Sequence, residues 1–299
     1  MQNARSKTTG LRTGLITLAI VAAFGLISAL RAESFAVREP SSERQETVAL
    51  AERLRDAQTQ TYLRRLDAVS PGVSARLKTE ADIRIRAGAS DADLADMVLL
   101  SILMELKGSA GAFKQAPSEH YDAVIHHAGD GLQRLTREGS DWCSGPRLAS
   151  YLQQNDGDLI PSLIALYPYE SESYDWAIAF GILALDAIEA GREMPVRRRR
   201  PTGYDKAQLQ QTGLALGSDQ IILGLQIMAF SQSEGQGYQQ MQTAIEGIDA
   251  CKLGLAAVKV SDLLDEPVRA TIWADFLPEL FHGNMPYVIW RVNDYFYLD

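Results

Sequence analysis

The sequence predicts an all-α protein: one N-terminal transmembrane helix, then a multi-helix extracytoplasmic domain that closes on a short extended C-terminal segment. Three observations carry this expectation. Residues 13–30 form a run without charge. Beyond it, apolar residues recur at helical spacing between cap and stop signals. β-Branched and aromatic residues in strand-like alternation gather in the final PYVIWRVNDYFYLD.

The uncharged run, TGLITLAIVAAFGLISAL, makes a helix of roughly 27 Å, enough to span a bilayer core. Every face is apolar or small, whereas a buried helix of a soluble domain keeps a polar side. Arg5, Lys7 and Arg12 precede it without an acid, while Arg31, Arg38 and Arg44 are diluted by Glu33, Glu39, Glu43 and Glu46. Lys and Arg alone are nearly balanced across the run, and the free amino terminus adds to the first flank, which places residues 1–12 in the cytoplasm, 13–30 across the inner membrane as a single-pass anchor, 31–45 as a tether and 46–299 in the periplasm. The competing reading is a cleaved signal peptide. That requires a shorter core, roughly 7–15 residues, and a small-x-small site, for which Leu30-Arg31-Ala32 and Ile27-Ser28-Ala29 are poor fits.

All 38 acids follow Ala32, and 29 bases less the four before Glu33 leave 25, so the exported part carries −13. Such a body repels nucleic acid, having no basic stripe to release counterions from phosphates. Cys143 and Cys251 are the two cysteines, and an oxidising compartment pairs them in one way, as a disulfide. The alternative is two buried free thiols. No Asn-x-Ser/Thr triplet occurs, which favours a bacterial periplasm.

Helices are expected in order at 43–69 (capped by Ser42, stopped by Pro71-Gly72), 73–88, and 91 to about 108, where Ser90 and Asp93 write a capping box. Others follow at 118–138 (capped by Ser118, ended by Gly139), 145–154, 158–167, 172–190, 204–216, 218–231, 236–260 and 265–281. The stretch 194–203, MPVRRRRPTG, breaks this pattern as a loop and is the place where the domain would divide in two.

Four patterns carry possible chemistry. On a helix through 118–130, Glu119, Asp122, His126 and Asp130 fall on one side, where they could hold a divalent transition metal, though the spacing matches no established motif. The plain alternative is a wet helix face. Arg197, Arg198, Arg199 and Arg200 form either a solvated loop or a contact for anionic lipid or an acidic partner. Cys143 with a histidine as thiol nucleophile and base rests on co-occurrence alone. Glu170, beside Tyr167, Tyr169 and Trp176, could act as a general acid if an apolar cleft raised its pKa; equally, Glu170, Glu172 and Asp175 suit a helix N-terminus.

The segment SLIALYPYESESYDWAIAFGILAL also resembles the catalytic segment of the soluble lytic transglycosylases, in which an apolar helix ends in Glu-Ser and a Gly-Leu-Met-Gln stretch follows. Glu170-Ser171 would supply the first and Gly181-Ile182-Leu183-Ala184 the second. Ala184 replaces the glutamine, and the family's downstream Asn-rich motif is missing. The resemblance implies glycan cleavage with Glu170 as acid. With no nucleotide, metal or esterase motif in the chain and no cofactor expected, the leading expectation is a membrane-anchored interaction or scaffold module with an envelope protein partner. An envelope hydrolase, using Glu170 or an Asp122/His126/Asp130 metal, is the alternative.

Overall fold

The computed structural model describes residues 49–147, 164–222, 224, 245–282, 291, 294 and 295, and among these the protein is helical without a strand. The expected anchor at 13–30, the Ser42 cap and the tether lie outside the described residues, as do most residues of the helices expected at 145–154, 158–167 and 218–231. No helix among the described residues is long and apolar enough to cross a membrane.

The first expected helix is two. α1 (Leu50–Arg53) ends where Leu54, fully buried, turns extended, and Asp56 then caps α2 (Ala57–Val69) by accepting from the Thr59 amide at 2.7 Å. Apolar spacing runs through this break, so the cap alone betrays it. α3 (Pro71–Arg86) starts on a proline, whose missing N–H costs nothing at a helix start. α4 (Asp91–Gly108) carries the reciprocal capping box of Ser90 and Asp93 read from the sequence. A short helix that the sequence did not announce, α5 (Ala110–Phe113), follows it.

α6 (Ser118–Glu138) has the expected bounds and ends at Gly139, whose φ of 62° is the left-handed C-cap conformation. Its cap differs from expectation. Pro117 is the N-cap, and the Ser118 hydroxyl instead donates to Glu266. A 3-10 turn, Asp141–Cys143, follows. α7 (Glu172–Glu193), capped by Ser171, contacts α2, α4, α5 and α6 and so forms the axis of the body. Gly181 and Gly191 permit that crowding: a Cβ on Gly191 would lie 1.9 Å from the Ala112 carbonyl oxygen, and one on Gly181 2.6 Å from Ile102 Cδ1.

α8 (Gly203–Ala215) begins with a second capping box, Thr202 with Asp205. The helix expected over 236–260 is interrupted at Ile248-Asp249, because Asp249 accepts from the Lys252 amide and starts α9 (Ala250–Leu263). α10 (Glu266–Phe281) closes the series. The extended C-terminal segment is corrected where it can be seen: Arg291, Asp294 and Tyr295 are helical, Arg291 reaches Asp294 at 2.9 Å, and Tyr295 is buried against Phe276. Tyr295 answers to core packing, and no strand stands among the described residues to pair with the segment.

One core unites residues on both sides of 194–203, from Leu50 to Tyr295. Its buried phenols are satisfied: Tyr62 pairs with Ser101 and Tyr174 with Thr59, each at 2.9 Å, and Tyr121 donates to the Lys114 carbonyl at 2.6 Å. Burial raises all three pKa values, that of Tyr121 to about 12.

Candidate functional site: an aromatic groove between two helices

The cysteine pair is a disulfide. Cys143 and Cys251 lie 4.9 Å apart at Cα and close a loop across 108 residues. It joins the 3-10 turn to the first turn of α9, and the Gly145 amide donates to the Ile248 carbonyl beside it. Gly145 is required there, since a Cβ would meet the Ile245 carbonyl oxygen at 1.8 Å. The staple thereby fixes Trp142, the neighbour of Cys143.

Trp142 lines an open cavity of about 340 Å³ between the C-terminal half of α6 and the N-terminus of α7. Trp176 forms its floor. The indole lies flat against α6 because position 131 is glycine; a Cβ there would sit 2.7 Å from the ring. Indole Nε1 donates to the His127 carbonyl at 2.9 Å, and His127 Nε2 donates back to the Trp176 carbonyl at the same distance. The imidazole stacks on the indole at 5.2 Å and 5°. Tyr167 stacks on the same indole at 5.9 Å and 15°, with its phenol pKa raised to about 12 by burial. The Arg134 guanidinium stands 6.0 Å over the ring and donates to the Glu172 carbonyl. Glu138 and Glu172 add carboxylates to the lining, Glu138 at 3.8 Å from Arg134.

The structure divides the residues that the sequence grouped around Glu170. Tyr167 and Trp176 enter the groove, whereas Tyr169 packs edge-on against Tyr174 at 5.3 Å. Glu170 is exposed on the turn before α7, next to the lining residues Ser171 and Glu172, with φ of 65°; it is the non-glycine residue with positive φ among those described. Both oxygens of Asp122 accept from Arg269, at 2.7 and 2.8 Å, and His126 pairs with Asp262 at 2.7 Å. Glu119 and Asp130 are exposed. Among the described residues, the metal-ligating atoms that converge are those of Cys143, Asp249 and Cys251, and the two sulfurs are joined to each other.

The four arginines also separate. Arg198 bonds the Ala116 carbonyl at 2.7 Å and lies over the Tyr121 ring, and Arg199 clamps the buried Asp205 carboxylate. Arg197 and Arg200 are exposed. Arg134, Gly131 and Trp142 escaped the sequence reading; the local signals were a glycine within an amphipathic helix and a tryptophan beside a cysteine.

Fold and groove together define an all-helical protein with a disulfide-braced, aromatic-lined cleft. No family model, curated protein or solved structure matches the chain.

Proposed function

We propose that this chain is a membrane-anchored envelope protein that acts as an interaction module, with the groove between α6 and α7 as its recognition surface. The observation that carries the reading is the gathering of Trp142, Tyr167, Trp176 and Arg134 around an open cavity of about 340 Å³. Trp, Tyr and Arg are enriched among the residues that dominate the binding energy of protein interfaces, Trp and Tyr because they present large rigid surfaces with few rotamers to freeze and Arg through its fixed fork of donors. The volume fits one or two side chains of a partner. Glu138 and Glu172 in the lining, and a body of charge −13, favour a peptide segment with an apolar or aromatic residue flanked by lysine or arginine. The uncharged run at 13–30, the acid-free flank before it and the disulfide favour an anchor in the inner membrane and a periplasmic body.

The test is a titration of the purified chain with two short peptides alike except that Phe is flanked by Lys in one and by Asp in the other. Saturable quenching of tryptophan emission by the Lys peptide is expected, weakened in Glu172→Lys. Equal silence of both peptides refutes the groove as a site for this partner. A periplasm-only reporter fused after residue 60 tests the topology separately: activity in the membrane fraction is expected, and a soluble product of reduced mass establishes cleavage instead.

Glu170 favours a second reading, an envelope hydrolase acting on glycan. A non-glycine residue in the left-handed region costs roughly 1–2 kcal/mol, and such strain gathers at functional sites. Under that reading Glu170→Gln abolishes release of soluble fragments from purified cell-wall glycan. No release by the unaltered protein, together with a raised melting temperature in Glu170→Gly, ends it.

A further inference from the structure

The loop between α7 and α8 is pinned from within. The Val196 amide donates to the Gln115 carbonyl at 2.8 Å, Arg198 bonds the Ala116 carbonyl, and Arg199 is locked onto Asp205. Arg197 and Arg200 are exposed, and neither guanidinium has a partner among the described residues. Lys114, on the segment against which the loop packs, is exposed as well. Two large apolar side chains flank the arginines, Met194 at 62% and Tyr204 at 59% exposure. Glu193, at the end of α7, is an exposed acid of the same stretch.

We infer that this loop is a membrane-contact element, which lays one face of the helical body on a bilayer rich in anionic phospholipid. The inference rests on the membrane-anchor reading. A body of charge −13 is repelled by an anionic surface except where cations cluster, and here Arg197 and Arg200 of the loop and Lys114 of the segment it packs on are exposed with no ion-pair partner among the described residues. Each basic residue held near such a surface strengthens binding about fivefold. A soluble acidic peptide engages the arginines without covering Met194 and Tyr204. A bilayer interface takes both, an aliphatic thioether below the headgroups and a phenol among them. The tether from 31 to 45 extends to at most about 50 Å, so the body stays within reach of the surface.

The test uses the full chain in lipid nanodiscs. Cys143 and Cys251 are joined, so Met194→Cys introduces a single free thiol for an environment-sensitive fluorophore. In discs containing phosphatidylglycerol the emission is expected to shift to the blue relative to discs of phosphatidylcholine alone, and the shift is expected to vanish in Arg197→Glu/Arg200→Glu or in high salt. Equal emission in the two kinds of disc overturns the proposal, as does a shift on adding soluble polyglutamate without one on phosphatidylglycerol. Incorporation into discs reports on the anchor independently. A chain that stays outside them refutes the anchor, and flotation of the same labelled chain with phosphatidylglycerol vesicles then decides the loop.

Discussion

Asp205 has no exposure to solvent, yet its carboxyl pKa is held down at about 2: the Arg199 guanidinium bonds both its oxygens, and the Thr202 amide and hydroxyl donate as well. A carboxyl whose pKa is lower folded than unfolded stabilises the fold above the unfolded value of 3.8 and loses that contribution as pH falls toward about 2. Asp205→Ala should therefore cost about 1–2 kcal/mol at neutral pH, chiefly as a lost N-cap because half-exposed Arg199 can return to water. In melts at descending pH, the gap between variant and parent should narrow from pH 4 to pH 2, and a constant gap would contradict the assignment. Thr202-x-x-Asp205 is a capping box legible in the sequence, just after four consecutive arginines. Which arginines are structural depends on what lies under the loop, namely the Ala116 carbonyl, the Tyr121 ring and Asp205, and no local pattern encodes that.

At the scale of the element, α7 shows how one helix is surrounded. Its apolar residues are not restricted to one stripe, and small residues stand where neighbours press closest. Gly191→Ala should destabilise by about 1–3 kcal/mol, since a methyl group at 1.9 Å from a backbone oxygen forces the helices apart. Gly72→Ala in α3, with nothing within 4 Å of the new Cβ, should be neutral or stabilise by up to about 1 kcal/mol. Thermal melts of the pair separate crowding from helix propensity, and equal effects would mean that the tight contact is not maintained. The bounds of α4 and α6 were legible because a capping box and a left-handed glycine are local chemistry. The breaks at Leu54–Asp56 and Ile248-Asp249 were not, because apolar spacing continues through them.

For the whole molecule, the disulfide ties parts 108 residues apart, so opening it frees a long loop in the unfolded chain. The chain-entropy model assigns about 4–5 kcal/mol to a loop of that length. Cys143→Ser/Cys251→Ser should lower the denaturation midpoint substantially and loosen the turn that carries Trp142, weakening any ligand of the groove. Two reactive thiols in the denatured, unreduced parent would overturn the bond. Counting two cysteines left one intrachain pairing to expect, and the structure forms it, but nothing in the count joined the pair to a recognition surface.

Periodicity, capping and the cysteine count, each within reach of a few residues, were enough for the helical class, for most helix positions among the described residues and for the one possible cysteine pair. Tertiary packing was needed to pair Asp122 with Arg269, to hold Arg198 on the Ala116 carbonyl and Arg199 on Asp205, and to bring Trp142, Tyr167 and Trp176 into a groove with Arg134. The reason is physical: residues 139–171 separate α6 from α7 in the chain, Gly131 leaves room for the Trp176 indole where the two helices meet, and the Cys143–Cys251 bond holds the turn that carries Trp142.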